Sequence, residues 1–165
     1  MEFKARLQRA IQRGVHHAHA QQEEAAAKKM SEDELRSLHT RYRLNLSEKI
    51  ESCIQHLPAH FPGFQYETIY GERGWGGAIS RDDIQISQGG KRNNQFSRLE
   101  MTIRPLSSMH VLDLTAKGTV RNREIYNRKH FEQLTEVDPD NFVELIDLWI
   151  LEYAEIFATD SSKSK

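Results

Sequence analysis

The chain has 165 residues, enough for one domain with a real core and too few for two large ones. Leu, Ile, Val and Phe make up 38 of the 165, about 23%, just above the level of disordered chains, while a net charge of -1 excludes a polyelectrolyte tail protein. Gly 9 and Pro 4 exclude collagen-like or low-complexity material, and a single cysteine forbids an internal disulfide. With no leader pattern at Met1–Lys4 and no long uncharged apolar run, the expectation is a cytoplasmic protein without a membrane partner.

These averages hide unlike segments. Residues 1–34 contain only Phe3, Leu7, Ile11 and Val15 from the strongly apolar set, 4 of 34, against 34 of 124 in residues 35–158. Charge divides too: basic and acidic side chains number 12 and 12 in residues 1–90, 9 and 3 in 91–129, and 2 and 9 in 130–165, for nets of 0, +6 and -7. The expected organisation is a helical extension over 1–30, an α+β core domain over 31–158 and a disordered tail over 159–165.

Phe3, Leu7, Ile11 and Val15 recur every four residues and so share one stripe of a helix. Residues 21–29 are strong helix formers with Glu24 four residues before Lys28 and almost nothing to bury, as in a solvated helical spacer. Ser31 followed by Glu34 has the form of a capping box. A second helix follows on Leu35, Leu38, Tyr42, Leu46, Ile50, Cys53, Ile54 and Leu57, with Pro58 as its stop. No Pro or Gly separates Val15 from Leu57, so one long helix and two helices are both compatible with the pattern.

Beyond Phe61-Pro62-Gly63 the period changes to two. Phe64–Tyr70, Ala78–Ile86, Leu99–Ile103 and Leu112–Ala116 alternate or are rich in aromatic and β-branched residues, and a further strand falls within Thr119–Tyr126. Either Lys117-Gly118 or Arg121-Asn122 makes the last turn. Short, turn-rich connections at 71–77, 88–95 and 105–108 favour an antiparallel meander of four or five strands with one wet face. Asp138 as N-cap and Pro139 at the first position open a final helix so apolar that it needs cover on more than one side, from the sheet and from the second helix or a partner chain. The fold class is α+β, with two N-terminal helices or one, the meander, and an apolar C-terminal helix packed on the sheet.

Several residue groups invite chemistry. Cys53, His56 and His60 have zinc-competent donors at C-x2-H-x3-H spacing, but no fourth ligand stands nearby, and Cys53 also belongs to the apolar stripe. His16, His17 and His19 have no acidic or Cys ligand beside them. Neither a metal nor another cofactor is expected. The Gly-rich segment Gly71–Gly77 fits no phosphate-binding fingerprint and reads as a hairpin loop, with Trp75 as a candidate anchor on a partner; residues 89–94 read as a second hairpin tip. The basic region 91–129, with Arg98, Arg104, Arg121 and Arg123 and the aromatics Phe96 and Tyr126, is a candidate surface for single-stranded nucleic acid. Against that, the pI is 6.7, and Glu100, Asp113 and Glu124 interleave with the arginines as cross-strand partners. His110 with Asp113 and Glu100 is the nearest approach to an acid–base set, and no nucleophile elbow accompanies Ser107-Ser108.

The expectation is therefore a non-enzymatic interaction module, an adaptor or chaperone-like protein. Its interface is Phe3, Leu7, Ile11 and Val15, and its partner is another protein or a second copy of itself in a homodimer. Nucleic-acid binding by the sheet face and a small enzyme with a dispersed site are the alternatives.

Overall fold

A computed structural model describes residues 2–28, 31–86 and 89–163. It divides into two compact units, Met1–Arg36 and Ser37–Lys165. The first unit holds helix α1, Phe3–Lys28, and the opening turn of helix α2, Glu32–Ile54. The polypeptide between the two helices, where the choice between one helix and two is made, lies outside the described residues, as does the Glu24–Lys28 side-chain pair. Ser31 caps α2 as expected: its Oγ accepts from the Glu34 N–H at 3.2 Å, satisfying one orphan donor of the first turn.

In the second unit α2 ends at Ile54, three residues earlier than its apolar pattern suggests. A one-turn helix α3, Leu57–His60, follows, with Pro58 in its first turn. Proline lacks only an N–H that has no helical partner at that place, so it opens a helix here instead of closing one.

Five antiparallel strands then form a meander in the order β1–β2–β3–β4–β5: Gln65–Ile69, Trp75–Ile86, Arg92–Ile103, Val111–Val120 and Arg123–Gln133. Helix α4, Pro139–Lys163, completes the chain, and Asp138 caps it through Oδ1, which accepts from the Asp140 N–H at 3.1 Å. The α+β class with helices on one sheet face is thus the observed architecture. Register puts Ile79, Leu99, Met101, Ile103, Ala116 and Leu114 on the covered face. There they meet Leu46, Ile50 and Ile54 of α2 and Phe142, Ile146, Trp149, Tyr153 and Phe157 of α4 in one buried core. Tyr126 and Tyr153 tie α4 to the sheet by donating to the carbonyls of Trp149 and Thr119, each at 2.9 Å.

The strands are longer than their alternation suggests. Trp75, Gly76 and Gly77 belong to β2, so the expected loop 71–77 shrinks to a single 3-10 turn at Gly71–Arg73. A Cβ at Gly77 would stand 2.9 Å from the Tyr66 ring and one at Gly76 would meet the Met101 carbonyl, so these glycines serve close approach between strands. Arg92–Gln95, expected in a hairpin tip, are strand, and β5 runs on to Gln133.

The β4–β5 turn is Arg121-Asn122, both with positive φ (49° and 67°), as a two-residue primed hairpin requires. Asn122 stitches this turn to β3: its Oδ1 accepts from the Phe96 N–H at 2.8 Å, its Nδ2 donates to the Asn94 carbonyl at 2.7 Å, and its own N–H donates to Phe96 O at 2.8 Å. The end of α4 corrects the expected disordered tail. Helix continues from Thr159 through Lys163, and Asp160 lies 3.2 Å from Arg121 and 3.3 Å from Arg123. Two guanidiniums near a helix C-terminus also suit its partial negative charge.

Candidate functional site

On α1 the expected stripe is present and solvent-exposed: Phe3 is 77% accessible, Leu7 47%, Ile11 58% and Val15 55%. The residues step by four along a helix of 3.6 residues per turn, so they drift across roughly a third of the helix circumference. Lys4 falls inside that arc, whereas Arg6, Arg9 and Arg13 occupy the opposite side. The helix is therefore amphipathic and basic, with its largest apolar groups in water.

The open face of the sheet carries two of the arginines read as a binding surface, Arg98 and Arg104, and acids already engage Arg98. Arg98 Nη2 donates to Glu67 at 2.7 Å and to Glu100 at 3.2 Å, and Arg73 reaches the same Glu100 oxygen at 3.1 Å. The Arg98 guanidinium beside Glu67 holds that carboxyl below its ordinary range. Arg104 Nη1 donates to the Arg73 carbonyl at 3.1 Å, folding the 3-10 turn onto the end of the sheet. Lys129 pairs with Asp113 at 3.3 Å, so the expected interleaving of acids and bases is real. Arg121 and Arg123 project from the hairpin turn toward Asp160 instead of joining this face.

One member of the expected nucleic-acid surface lies on the other face. Tyr126 is buried at 7% accessibility on the helix side of the sheet, with the Arg128 guanidinium 4.7 Å from its ring centroid. Arg128 forms a two-pronged pair with Glu152 of α4, one prong at 2.8 Å. Phe96 stays on the open face, two residues before Arg98 on β3, and is 37% accessible. His110 occupies a left-handed turn residue, φ 54°, while Glu100 and Asp113 are both committed to ion pairs.

Trp75 is half-buried against residues of its own unit. Arg43 of α2 stacks over its ring at 4.1 Å from the centroid, and the His39 ring meets it edge to face at 6.5 Å. His39, which the apolar pattern of α2 does not reveal, is 3% accessible and donates from Nε2 to the Arg104 carbonyl at 3.1 Å. Burial lowers its pKa, and the nearby Arg43 charge pushes the same way.

Cys53, His56 and His60 line one groove of about 600 Å³ between the end of α2, α3 and α4. Its walls are mainly apolar, from Leu57, Phe61, Ile150, Leu151 and Ala154. Asp147 enters it as well, accepting from Cys53 Sγ at 3.6 Å and from Lys49 Nζ at 3.0 Å. Burial raises the thiol's pKa and keeps Cys53 protonated as a small hydrophobe with a weak donor. Among the described residues no three His, Cys, Asp or Glu side chains converge as metal ligands would. Lys49 and Cys53, four apart on α2, form a unit with Asp147 that only the folded packing brings together; one turn's spacing is the sole trace of it in the sequence.

The class this defines is an α+β protein with a five-stranded meander covered on one face. No family model, curated protein or solved structure matches the chain. Among the described residues no helix is long and apolar enough to cross a membrane.

Proposed function

We propose that this protein is a binding module that acts through protein–protein contacts, with α1 as the element that engages the partner and a second copy of the chain as that partner. The observation that carries the reading is the exposed stripe Phe3, Leu7, Ile11 and Val15 on a 26-residue helix. Large apolar side chains held in water at regular helical spacing stabilise nothing until another surface covers them. The ion pairs of Arg98 and Lys129 on the sheet favour this reading over nucleic-acid binding, because a phosphate backbone would have to displace carboxylates already in place.

Sedimentation of the full chain from about 1 to 100 μM, a range that brackets weak specific interfaces, is the test. The expected result is a mass that rises from the 19.2 kDa monomer toward twice that value. The double variant Leu7→Glu, Ile11→Glu should remain at monomer mass throughout. A wild-type chain that stays monomeric across the range overturns self-association.

A further inference from the structure

We infer that the basic face of α1 is a binding surface for double-stranded DNA, which it holds through the phosphate backbone. This goes beyond self-association, which uses the other side of the same helix. At roughly 3.6 residues per turn, Arg6, Arg9, Arg13, His16 and His17 fall within an arc of about 100°, centred roughly 150° around α1 from the stripe of Phe3, Leu7, Ile11 and Val15. All five are exposed, and with Gln12 and Ala20 they line one open trough of about 750 Å³. Glu2 and Glu23 bracket this stretch, and between them the sequence carries Lys4, the three arginines and three histidines but no acid. On the sheet, by contrast, Arg98 and Lys129 already hold Glu67, Glu100 and Asp113.

Geometry selects among polyanions. A helix that buries its stripe in a lipid interface needs its cations beside the stripe, where their stems reach the headgroups. Here Lys4 alone lies there, and the three arginines are on the far side, so an anionic bilayer would meet the stripe or the arginines but not both. A single strand would find nothing to stack on, since the face carries no Phe, Tyr or Trp. Duplex DNA asks only for what the face supplies. Its major groove is about 12 Å wide and admits a helix about 10–12 Å across, whereas the major groove of an RNA duplex is deep and narrow. Arg6 to His17 spans about 17 Å, the length of about five base pairs at about 3.4 Å each. The guanidinium fork also suits phosphate, to which it donates two parallel hydrogen bonds. The stripe stays free for a second copy while the opposite side holds the duplex.

The test is fluorescence anisotropy of a labelled DNA duplex of about 20 base pairs, titrated with the full-length protein between about 50 and 200 mM salt. Three arginine–phosphate contacts predict a log–log salt slope of about −2.7, a loss of about 40-fold in affinity across that range. Arg13→Gln should bind more weakly and reduce the slope to about −1.8. The triple variant Arg6→Gln, Arg9→Gln, Arg13→Gln should not bind, while circular dichroism shows its helix content unchanged. Lys117→Gln, on the open sheet face, should bind as the wild type does. Leu7→Gln, Ile11→Gln removes the stripe without altering charge and should bind the duplex with the wild-type slope even as a monomer, so loss of self-association and loss of DNA binding are read separately. The inference is overturned by no binding at about 50 mM salt, by a slope that Arg13→Gln leaves unchanged, or by a loss of binding in Lys117→Gln. It is overturned equally by a single strand of the same length bound more tightly than the duplex. Phosphatidylserine vesicles, or polyglutamate of equal charge, bound as tightly as the duplex would give the face to another anion and overturn it too.

Discussion

Helices α1 and α4 are nearly equal in length, 26 and 25 residues, and opposite in what holds them. In α4 Phe142, Ile146, Trp149, Tyr153 and Phe157 are buried, its start is capped by Asp138, and its Glu152 grips Arg128 of β5. In α1 the four largest apolar groups are exposed and the rest is Ala, Gln, His, charge and Gly14, so the helix rests on intrinsic propensity and length. The difference teaches that apolar residues serve two ends here: those of α4 define the fold, and those of α1 are available to something outside their own unit.

Substitutions should separate the two helices sharply. Phe142→Ala removes a fully buried ring and is expected to cost about 3–5 kcal/mol in urea unfolding, enough to unfold a marginal domain. Next comes the hairpin that receives the end of α4. Asn122→Ala forces a β-carbon without a local hydrogen bond into the left-handed region and abandons both side-chain bonds to β3, for about 2–3 kcal/mol. A cost below about 0.5 kcal/mol would show that the turn is not held by its side chain.

The smaller effects concern charge. His39 is buried with its pKa lowered, so the unfolded chain binds the proton more readily than the folded one. Its contribution is intact above the unfolded value near 6.5 and is lost as pH falls below it, with a slope of at most about 1.4 kcal/mol per pH unit. His39→Phe should remove that part of the acid-side slope; an unchanged slope would assign it to other groups. Smallest of all, Leu7→Glu, Ile11→Glu should alter the unfolding free energy of dilute, monomeric protein by no more than about 0.5 kcal/mol, as exposed substitutions do. A large loss there would place the stripe in the chain's own core and erase the contrast with α4.

How much of this could be read from residues alone follows the range of the interactions. Period and capping are local, which is why the α1 stripe, the Ser31 and Asp138 caps and the antiparallel meander were legible. Strand ends were not: Gly76 and Gly77 look like loop residues until Tyr66 and the Met101 carbonyl are seen against them. Pro58 looks like a stop until a new helix begins on it. The tail from Thr159 reads as disordered because the partners of Asp160, Arg121 and Arg123, lie almost 40 residues away. Among the candidate residues, Arg98 and Arg104 face outward as alternation demands, whereas Tyr126 turns inward because it pairs with Gly118, which in turn pairs with the covered Leu99. Trp75 reads as an anchor on a partner, and in the structure its ring carries Arg43 and meets His39 of the same unit.

The central claim, that α1 is finished only by contact with another chain, is tested most directly by hydrogen exchange of the full-length protein at low and high concentration. The amides of α4 should be protected equally at about 1 and 100 μM, while those of Phe3–Lys28 should exchange fast in dilute solution and slow markedly as the dimer forms. Exchange in α1 that is the same at both concentrations would contradict it.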